Sequence, residues 1–289
     1  MSAVADEAKI PCLRDAALDA ADRIKLTGSQ ACLLEARLFL ARAIGKSKEY
    51  IMAHPEVAPT PAQWESFQDM VARRERFEPA AYILGEKEFY SLNFKVDRRA
   101  LIPRPETEGV VDAALDMFPG PGGLAVLEIG VGSGIISICL AKHRPAWRFT
   151  ATDLSREALA LAAENAGIHH VEDRISLVHA DLFPASGEKY DLIVSNPPYV
   201  PSGAAGLSPE ITRYEPEQAL YGGVDGLEVI RRIADGLPGR LAQGGGVALE
   251  IGHGQAAWVL EILDKTGLFT SLGAIKDIQG IERVAWARG

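Results

Sequence analysis

Apolar residues in the first third of the chain recur three and four positions apart. Leu33, Leu34, Leu38, Phe39 and Ala43 trace one such stripe, and from Arg14 to about Gly45 the spacing predicts two helices broken at Gly28-Ser29. Three prolines between Ala53 and Pro61 predict a loop, after which Pro61 suits the first turn of a helix reaching about Arg76. The rhythm then changes. Glu88-Phe89-Tyr90-Ser91-Leu92-Asn93-Phe94-Lys95-Val96 alternates as a short hairpin does, following Ala81-Tyr82-Ile83-Leu84-Gly85. Further on, apolar strands alternate with helices: Ala125 to Ile129, a helix from about Gly134, Arg148 to Ala151, a helix from Ser155 to Ala166, Ile175 to Val178, and Asp191 to Val194. A helix near Gly226 to Gly236, a strand from Gly246 to Ile251, a helix from Gln255 to Lys265 and a strand pair near Ser271 and Arg283 bring the strands to about seven. Alternation of this kind predicts an α/β unit, a mostly parallel sheet wrapped on both faces. The expected organisation is a helical domain over 1–84, a β-hairpin linker over 85–108 and the α/β domain over 109–289, with no internal repeat.

A chain of 289 residues that is 47% hydrophobic supports more than one core, in keeping with two domains. The net charge of −9 is unevenly spread: residues 1–105 hold 16 Lys+Arg against 15 Asp+Glu, and residues 106–289 hold 14 against 24. Long phosphate backbones are bound by neutralising them, so an acidic α/β half speaks against duplex DNA or bare RNA as the main ligand. Cys12, Cys32 and Cys139 lack the paired spacing of a zinc site or disulfide framework and read as free thiols, with no metal expected. The opening Met1-Ser2-Ala3-Val4-Ala5-Asp6-Glu7 lacks a basic stretch followed by an apolar run, and no stretch is apolar enough to span a membrane. The expectation is a cytoplasmic protein.

Val126-Leu127-Glu128-Ile129-Gly130-Val131-Gly132-Ser133-Gly134 places a glycine turn between a strand and a helix. Glycines there let the backbone approach a ligand or pack a strand against a helix, and the GxGxG spacing departs from the GxGxxG of dinucleotide enzymes. Asp153, ending the next strand, is placed to accept from both hydroxyls of a ribose or to cap the helix near Ser155, which is itself a good cap. Asp181-Leu182-Phe183 falls where loops would edge an adenine, with core packing as the other reading of Leu182 and Phe183. Glu128, at the end of a buried strand, needs a partner: an ammonium group on a cofactor, or a nearby Arg or Lys.

The strand Asp191-Leu192-Ile193-Val194-Ser195 ends in Asn196-Pro197-Pro198-Tyr199, a loop expected to face the same crevice as the glycine turn. Two prolines have no N–H, leaving the preceding carbonyls free to accept, and the Asn196 side-chain oxygen is a second acceptor. Together they suit both hydrogens of an NH₂ group, while the Tyr199 ring offers a surface on which a planar amide or base can stack. Positioning of this type supplies roughly 7 to 11 kcal/mol of barrier reduction.

Over nearly its whole length the chain resembles the release factor glutamine methyltransferases (the PrmC/HemK family). The likeness rests on Asn196 to Tyr199 together with Ala81 to Gly85 and Glu88-Phe89, and Leu101-Ile102-Pro103-Arg104-Pro105-Glu106-Thr107-Glu108. It extends to Tyr214-Glu215-Pro216, Ala219 to Gly223, Asp225-Gly226 and Leu249-Glu250-Ile251-Gly252. The resemblance implies a class I S-adenosylmethionine-dependent methyltransferase fold. The reaction it implies is transfer of a methyl group to the N5 amide nitrogen of the glutamine in the Gly-Gly-Gln loop of class I peptide release factors, leaving S-adenosylhomocysteine. By the same resemblance the helical domain helps hold the factor; a monomer is the default for a protein that must dock a large partner, and no direct nucleic-acid substrate is expected. Carried over, the cofactor contacts fall on Glu128, Gly130, Val131, Gly132, Ser133, Gly134, Asp153, Leu182 and Asn196. The substrate contacts and catalytic positions fall on Asn196, Pro197, Pro198 and Tyr199. Arg104, Glu106 and Thr107 would line the site from the linker, though an ordinary linker salt bridge also explains Arg104 and Glu106. The family usually has Asp at the position of Glu128 and Thr at that of Val131, and some members have Trp at that of Leu182. A structural role suits Tyr214, Glu215 and Pro216, and Arg73, Arg74 and Arg76 read as a solvated helix face.

Asn-Pro-Pro-Tyr also occurs in DNA adenine and RNA guanine methyltransferases, so an amino methyltransferase of nucleic acids is the alternative; it needs a basic groove that the sequence does not show. A dinucleotide-binding oxidoreductase or nucleotide sensor would leave Asn196 to Tyr199 unexplained.

Overall fold

The computed structural model describes residues 10–289; residues 1–9, counted above in the helical domain and read for a targeting segment, lie outside the described residues. The chain divides into two compact units, Met1–Gly85 and Glu86–Gly289.

In the first unit, α1 (Leu13–Lys25) and α2 (Cys32–Ile44) are broken around Gly28, as the spacing predicts. A six-residue helix, α3 (Lys48–Ala53), precedes the proline loop; it is too short to establish a period, and only its cap, Ser47 accepting from the Tyr50 N–H, marks it. Thr60 opens α4 (Pro61–Glu75) with a capping box to Gln63, and Pro61 sits where no N–H is needed. The unit closes with α5 (Ala80–Leu84). Leu13, Ala20 and Ile24 of α1, Phe39 and Leu40 of α2, and Phe67 and Val71 of α4 form its core. One expectation fails here. Arg74, read as part of a solvated face, is 1% exposed and pairs with Glu35 of α2 at 2.8 Å, because the stripe that buries Phe67 and Val71 also turns position 74 inward.

The second unit opens with the hairpin β1 (Glu86–Phe89) and β2 (Leu92–Lys95). Then come α6 (Glu108–Met117), β3 (Ala125–Ile129), α7 (Ile135–His143), β4 (Arg148–Asp153), α8 (Arg156–Ile168), β5 (Ile175–His179) and β6 (Tyr190–Ser195). The chain continues through α9 (Pro209–Tyr214), α10 (Glu228–Gly236), β7 (Leu241–Glu250), α11 (Ala256–Asp264), β8 (Ser271–Lys276) and β9 (Glu282–Arg288). Seven strands form one sheet in the order β5-β4-β3-β6-β7-β9-β8, parallel from β5 to β7, with β9 antiparallel to both neighbours. Helices on both faces make this the doubly wound arrangement that the alternation predicts. β7 begins five residues earlier than its apolar run suggests, because Gly244-Gly245 falls where the pairing with β6 shifts register between Tyr190 and Leu192.

The order of strands locates the crevice. From β3 the chain winds outward through β4 to β5 and then returns to β6 on the other side of β3, so the connections after β3 and β6 diverge at their carboxyl ends. Ile129 pairs with Ser195, which sets Gly130 beside Asn196. The hairpin is tied to this end of the sheet by Asn165 of α8, fully buried. Its side chain accepts from the Lys95 N–H and donates to the carbonyls of Lys95 and Ser133.

Candidate active site

Three glycines make the turn after β3 with left-handed φ: Gly130 (73°), Gly132 (54°) and Gly134 (87°). The N–H groups of Gly130 and Val131 donate to the Thr152 carbonyl, each at 2.9 Å, drawing the turn against the end of β4. There Asp153 Oδ2 accepts from the Gly132 N–H (3.0 Å) and Oδ1 from the Ser155 N–H (2.8 Å), while the Ser155 hydroxyl caps α8. The carboxylate therefore braces the helix start and the turn, and it also lines the cavity between them.

That cavity is lined by Glu128, Gly130, Val131, Gly132, Ser133, Asp153, Leu182, Asn196, Pro197 and Pro198, and from the linker by Arg104 and Thr107. Leu182, at φ +65°, is held by the Thr152 hydroxyl donating to its carbonyl (2.6 Å); it lines the cavity and packs on the core at once. Phe183 faces away, against Arg240 and Gly236.

Three expected residues do not line the cavity. Gly134 lies behind the turn, where a Cβ would come within 2.9 Å of Ile138 Cδ1 and 3.4 Å of Ala162 Cβ, so its glycine lets α7 pack on α8. Glu106 is on the 3₁₀ turn Pro105–Thr107, where positions three apart share a face: Arg104 and Thr107 turn inward together and Glu106 does not. The Tyr199 ring, expected to stack on a target, is fastened by its hydroxyl to Glu250 Oε1 (3.1 Å), with its edge beside Gly252.

Glu128 is 1% exposed. Its Oε2 accepts from the Ser137 N–H at 3.0 Å, while Oε1 has no partner among the described residues, so the alternative of an Arg or Lys partner is not realised. Burial pushes its carboxyl up to about 8, with the hydrogen bond from the Ser137 N–H opposing. A cation in the cavity would relieve that cost.

Across the crevice, Asn196 Nδ2 donates to Thr107 Oγ1 (3.1 Å), which leaves Oδ1 as the free acceptor. The carbonyls of Asn196 and Pro197 accept no backbone N–H among the described residues. The loop itself is clamped from below: a Cβ on Gly222 would fall 2.3 Å from the Pro198 carbonyl oxygen, and one on Gly226 2.2 Å from that of Tyr199. Arg104 pairs with buried Glu215, which lies outside the linker, at 2.5 Å, while Glu215 also accepts from the Ile102 N–H. Sequence reasoning passed over Glu250, which lies 143 positions from Thr107 and meets it only in the fold, and the Arg232–Asp181 pair at the cavity rim (2.8 Å). An acid in Leu249-Glu250-Ile251-Gly252, at the end of a buried strand, was the signal for the first.

Known proteins resemble the chain at two levels. The family model described as the PrmC N-terminal domain matches residues 15–85, and that of the methyltransferase small domain matches residues 113–210. A release factor glutamine methyltransferase of Caulobacter vibrioides is 38% identical over 267 residues, 92% of either chain. One of Geobacter sulfurreducens is 40% identical over 263 residues, 90% of this chain and 91% of its own. Among solved structures, a methyltransferase from Pyrococcus furiosus matches with a TM-score of 0.52 at 22% identity, covering 70% of this chain and 91% of its own; at that identity the likeness is one of fold.

Proposed function

The chain belongs to the release factor glutamine methyltransferases, and we propose that its crevice binds S-adenosylmethionine at the glycine turn and a glutamine side chain at Asn196-Pro197-Pro198. The enzyme methylates the glutamine amide nitrogen of a release factor. The amide is taken to be that of the Gly-Gly-Gln loop of class I factors, and the work is taken to be done by a monomer in the cytoplasm, where it tunes translation termination.

The residues present fit the cofactor. Glu128 Oε1 is a buried oxygen awaiting a cation, Asp153 keeps lone pairs for ribose hydroxyls, and Leu182 gives adenine an apolar surface. When bound, S-adenosylmethionine supplies an electrophilic methyl on a sulfonium.

The chain's own contribution lies on the other side. An amide nitrogen is a poor nucleophile because its lone pair is delocalised into the carbonyl. Asn196 Oδ1 and the Pro197 carbonyl accept its two N–H groups, enriching the nitrogen and fixing the direction in which its lone pair points. Pro197 and Pro198 hold that carbonyl in place with fixed φ and no competing donor. The surplus proton leaves after transfer, so no base is needed beforehand. Tyr199 anchors the loop through its hydroxyl.

The observation that carries this reading is the Asn196 amide, whose N–H side is already committed to Thr107 and whose oxygen is therefore offered to the cavity. The test is mass spectrometry of unmethylated release factor after incubation with the protein and S-adenosylmethionine, beside a factor with the loop glutamine replaced by alanine. A gain of one CH₂ on the wild-type factor alone supports it. No gain on the factor, with methyl transfer to DNA or RNA in a parallel reaction, overturns it.

A further inference from the structure

A single buried carboxylate holds both ends of the Asn-Pro-Pro-Tyr loop. Glu250, the last residue of β7 and 1% exposed, accepts from the Tyr199 hydroxyl on Oε1 (3.1 Å) and from the Thr107 hydroxyl on Oε2 (2.5 Å). Thr107, itself fully buried, in turn accepts from Asn196 Nδ2 (3.1 Å).

The direction of each bond follows from counting protons. A carboxylate only accepts, and a hydroxyl has one hydrogen. With Glu250 ionised, the Thr107 hydrogen goes to Oε2, and what remains on Oγ1 is lone pair. Asn196 must then turn its NH₂ toward Thr107, which places Oδ1 toward the cavity. Should Oε2 carry a proton, the hydroxyl hydrogen of Thr107 is released toward Asn196. The amide then does best by flipping, and its N–H groups would face the N–H groups of the target.

Resting on the reading of Asn196 given above, we propose that Glu250 is a positioning residue for methyl transfer, which through the Thr107 hydroxyl sets which atom of the Asn196 amide faces the substrate. Glu250 touches neither substrate nor cofactor. The charges around it balance narrowly: burial raises its carboxyl to about 7, Glu106 on the 3₁₀ turn adds to this, and Arg283 of β9 and the hydrogen bonds from Thr107 and Tyr199 oppose it. Arg104 faces the Tyr199 end of the same cluster. Acid therefore acts on the relay before it acts on an ordinary carboxylate.

The test compares full-length Thr107→Val, Thr107→Ser and Glu250→Gln with the wild type. Valine keeps the shape of threonine and removes only the hydroxyl. It is expected to lower kcat on the release factor by about 10- to 100-fold, with S-adenosylmethionine affinity little changed, and serine is expected to recover most of that rate. Wild-type kcat should fall as pH drops through about 7, and this limb should be absent in Glu250→Gln, which has nothing to titrate. Full kcat in Thr107→Val, a loss that serine does not restore, or an acid limb that survives in Glu250→Gln would each overturn the proposal. A wild type that leaves the release factor unmethylated would overturn the substrate reading separately. The relay is then decided without substrate by the Asn196 side-chain amide resonance in ¹⁵N NMR. A resonance that moves through the same pH in the wild type and stays still in Glu250→Gln supports the relay; one that moves alike in both, or in neither, defeats it.

Discussion

At the scale of single residues the site is a set of buried polar atoms with one bonding capacity left over. Asn196 has given its N–H side to Thr107, and Asn196→Ala removes an acceptor that no neighbour replaces. Transfer should fall by about a hundredfold or more while cofactor affinity drops modestly, since positioning is worth that much; single-turnover rates beside equilibrium binding measure the two separately, and near-normal turnover would sink the mechanism. Glu128 makes a prediction about pH. Its carboxyl lies near 8 in the folded protein, above the ordinary carboxylate range, because burial disfavours its charge. A folded-state value raised in this way contributes stability that is complete below the ordinary range and is lost as pH rises through about 8. The melting temperature of the free protein should therefore decline between those limits, more steeply in the wild type than in Glu128→Gln. A cationic cofactor prefers the ionised group, so affinity for S-adenosylmethionine should rise with pH by a larger factor in the wild type than in the variant. Equal slopes in titration calorimetry would remove Glu128 from the cofactor site.

At the scale of elements, what matters is how rigidly the turn after β3 and the loop after β6 are held beside each other. Gly222 and Gly226 press on the Pro198 and Tyr199 carbonyls, and a methyl group at 222 has no room short of moving the loop. Gly222→Ala should cost about 1 to 3 kcal/mol of stability, as overpacking does, and lower kcat by tenfold or more through displaced acceptors. Chemical denaturation and steady-state kinetics test it, and an unchanged kcat would show that the loop is set from elsewhere. The elements themselves were legible wherever a period repeats: the stripe of α2, the alternation of the hairpin, the apolar runs of β3, β4 and β6. The period failed where the element was short, as in α3, or where apolar and small residues ran together, as in α6, whose Val110, Val111, Ala113, Ala114 and Met117 are all buried under the sheet. At the site, residues contiguous in sequence could be read from the strand ends that carry them. Glu250 and Glu215 could not, because their partners Thr107 and Arg104 are more than a hundred positions away and pair only once the linker lies across the sheet. The hydroxyl partner of Tyr199 escapes the sequence for the same reason, since Glu250 lies 51 positions away.

For the whole molecule the question is how one glutamine is chosen among many. In the reading proposed above, Asn196 and Pro197 hold only the end of a side chain, and any exposed glutamine presents the same amide. A specific protein complex buries about 1,200 to 2,000 Å², far more than a cavity built around one amide can provide. The cavity is lined by residues between 99 and 232 of the sheet-bearing unit, and the helical unit has a core of its own built on Leu13, Phe39 and Phe67. If that separate unit holds the partner, as the family resemblance implies, recognition and reaction lie on different parts of the chain. Removing it should then separate recognition from reaction. A protein reduced to residues 86–289 should bind S-adenosylmethionine as the full chain does and methylate a short Gly-Gly-Gln peptide at a similar rate, while its KM for the intact release factor rises tenfold or more, about 1.4 kcal/mol of lost association. An unchanged KM for the intact factor would place the recognising surface on the sheet-bearing unit, where Val224, 88% exposed on the loop that clamps Pro198 and Tyr199, would be the first residue to examine.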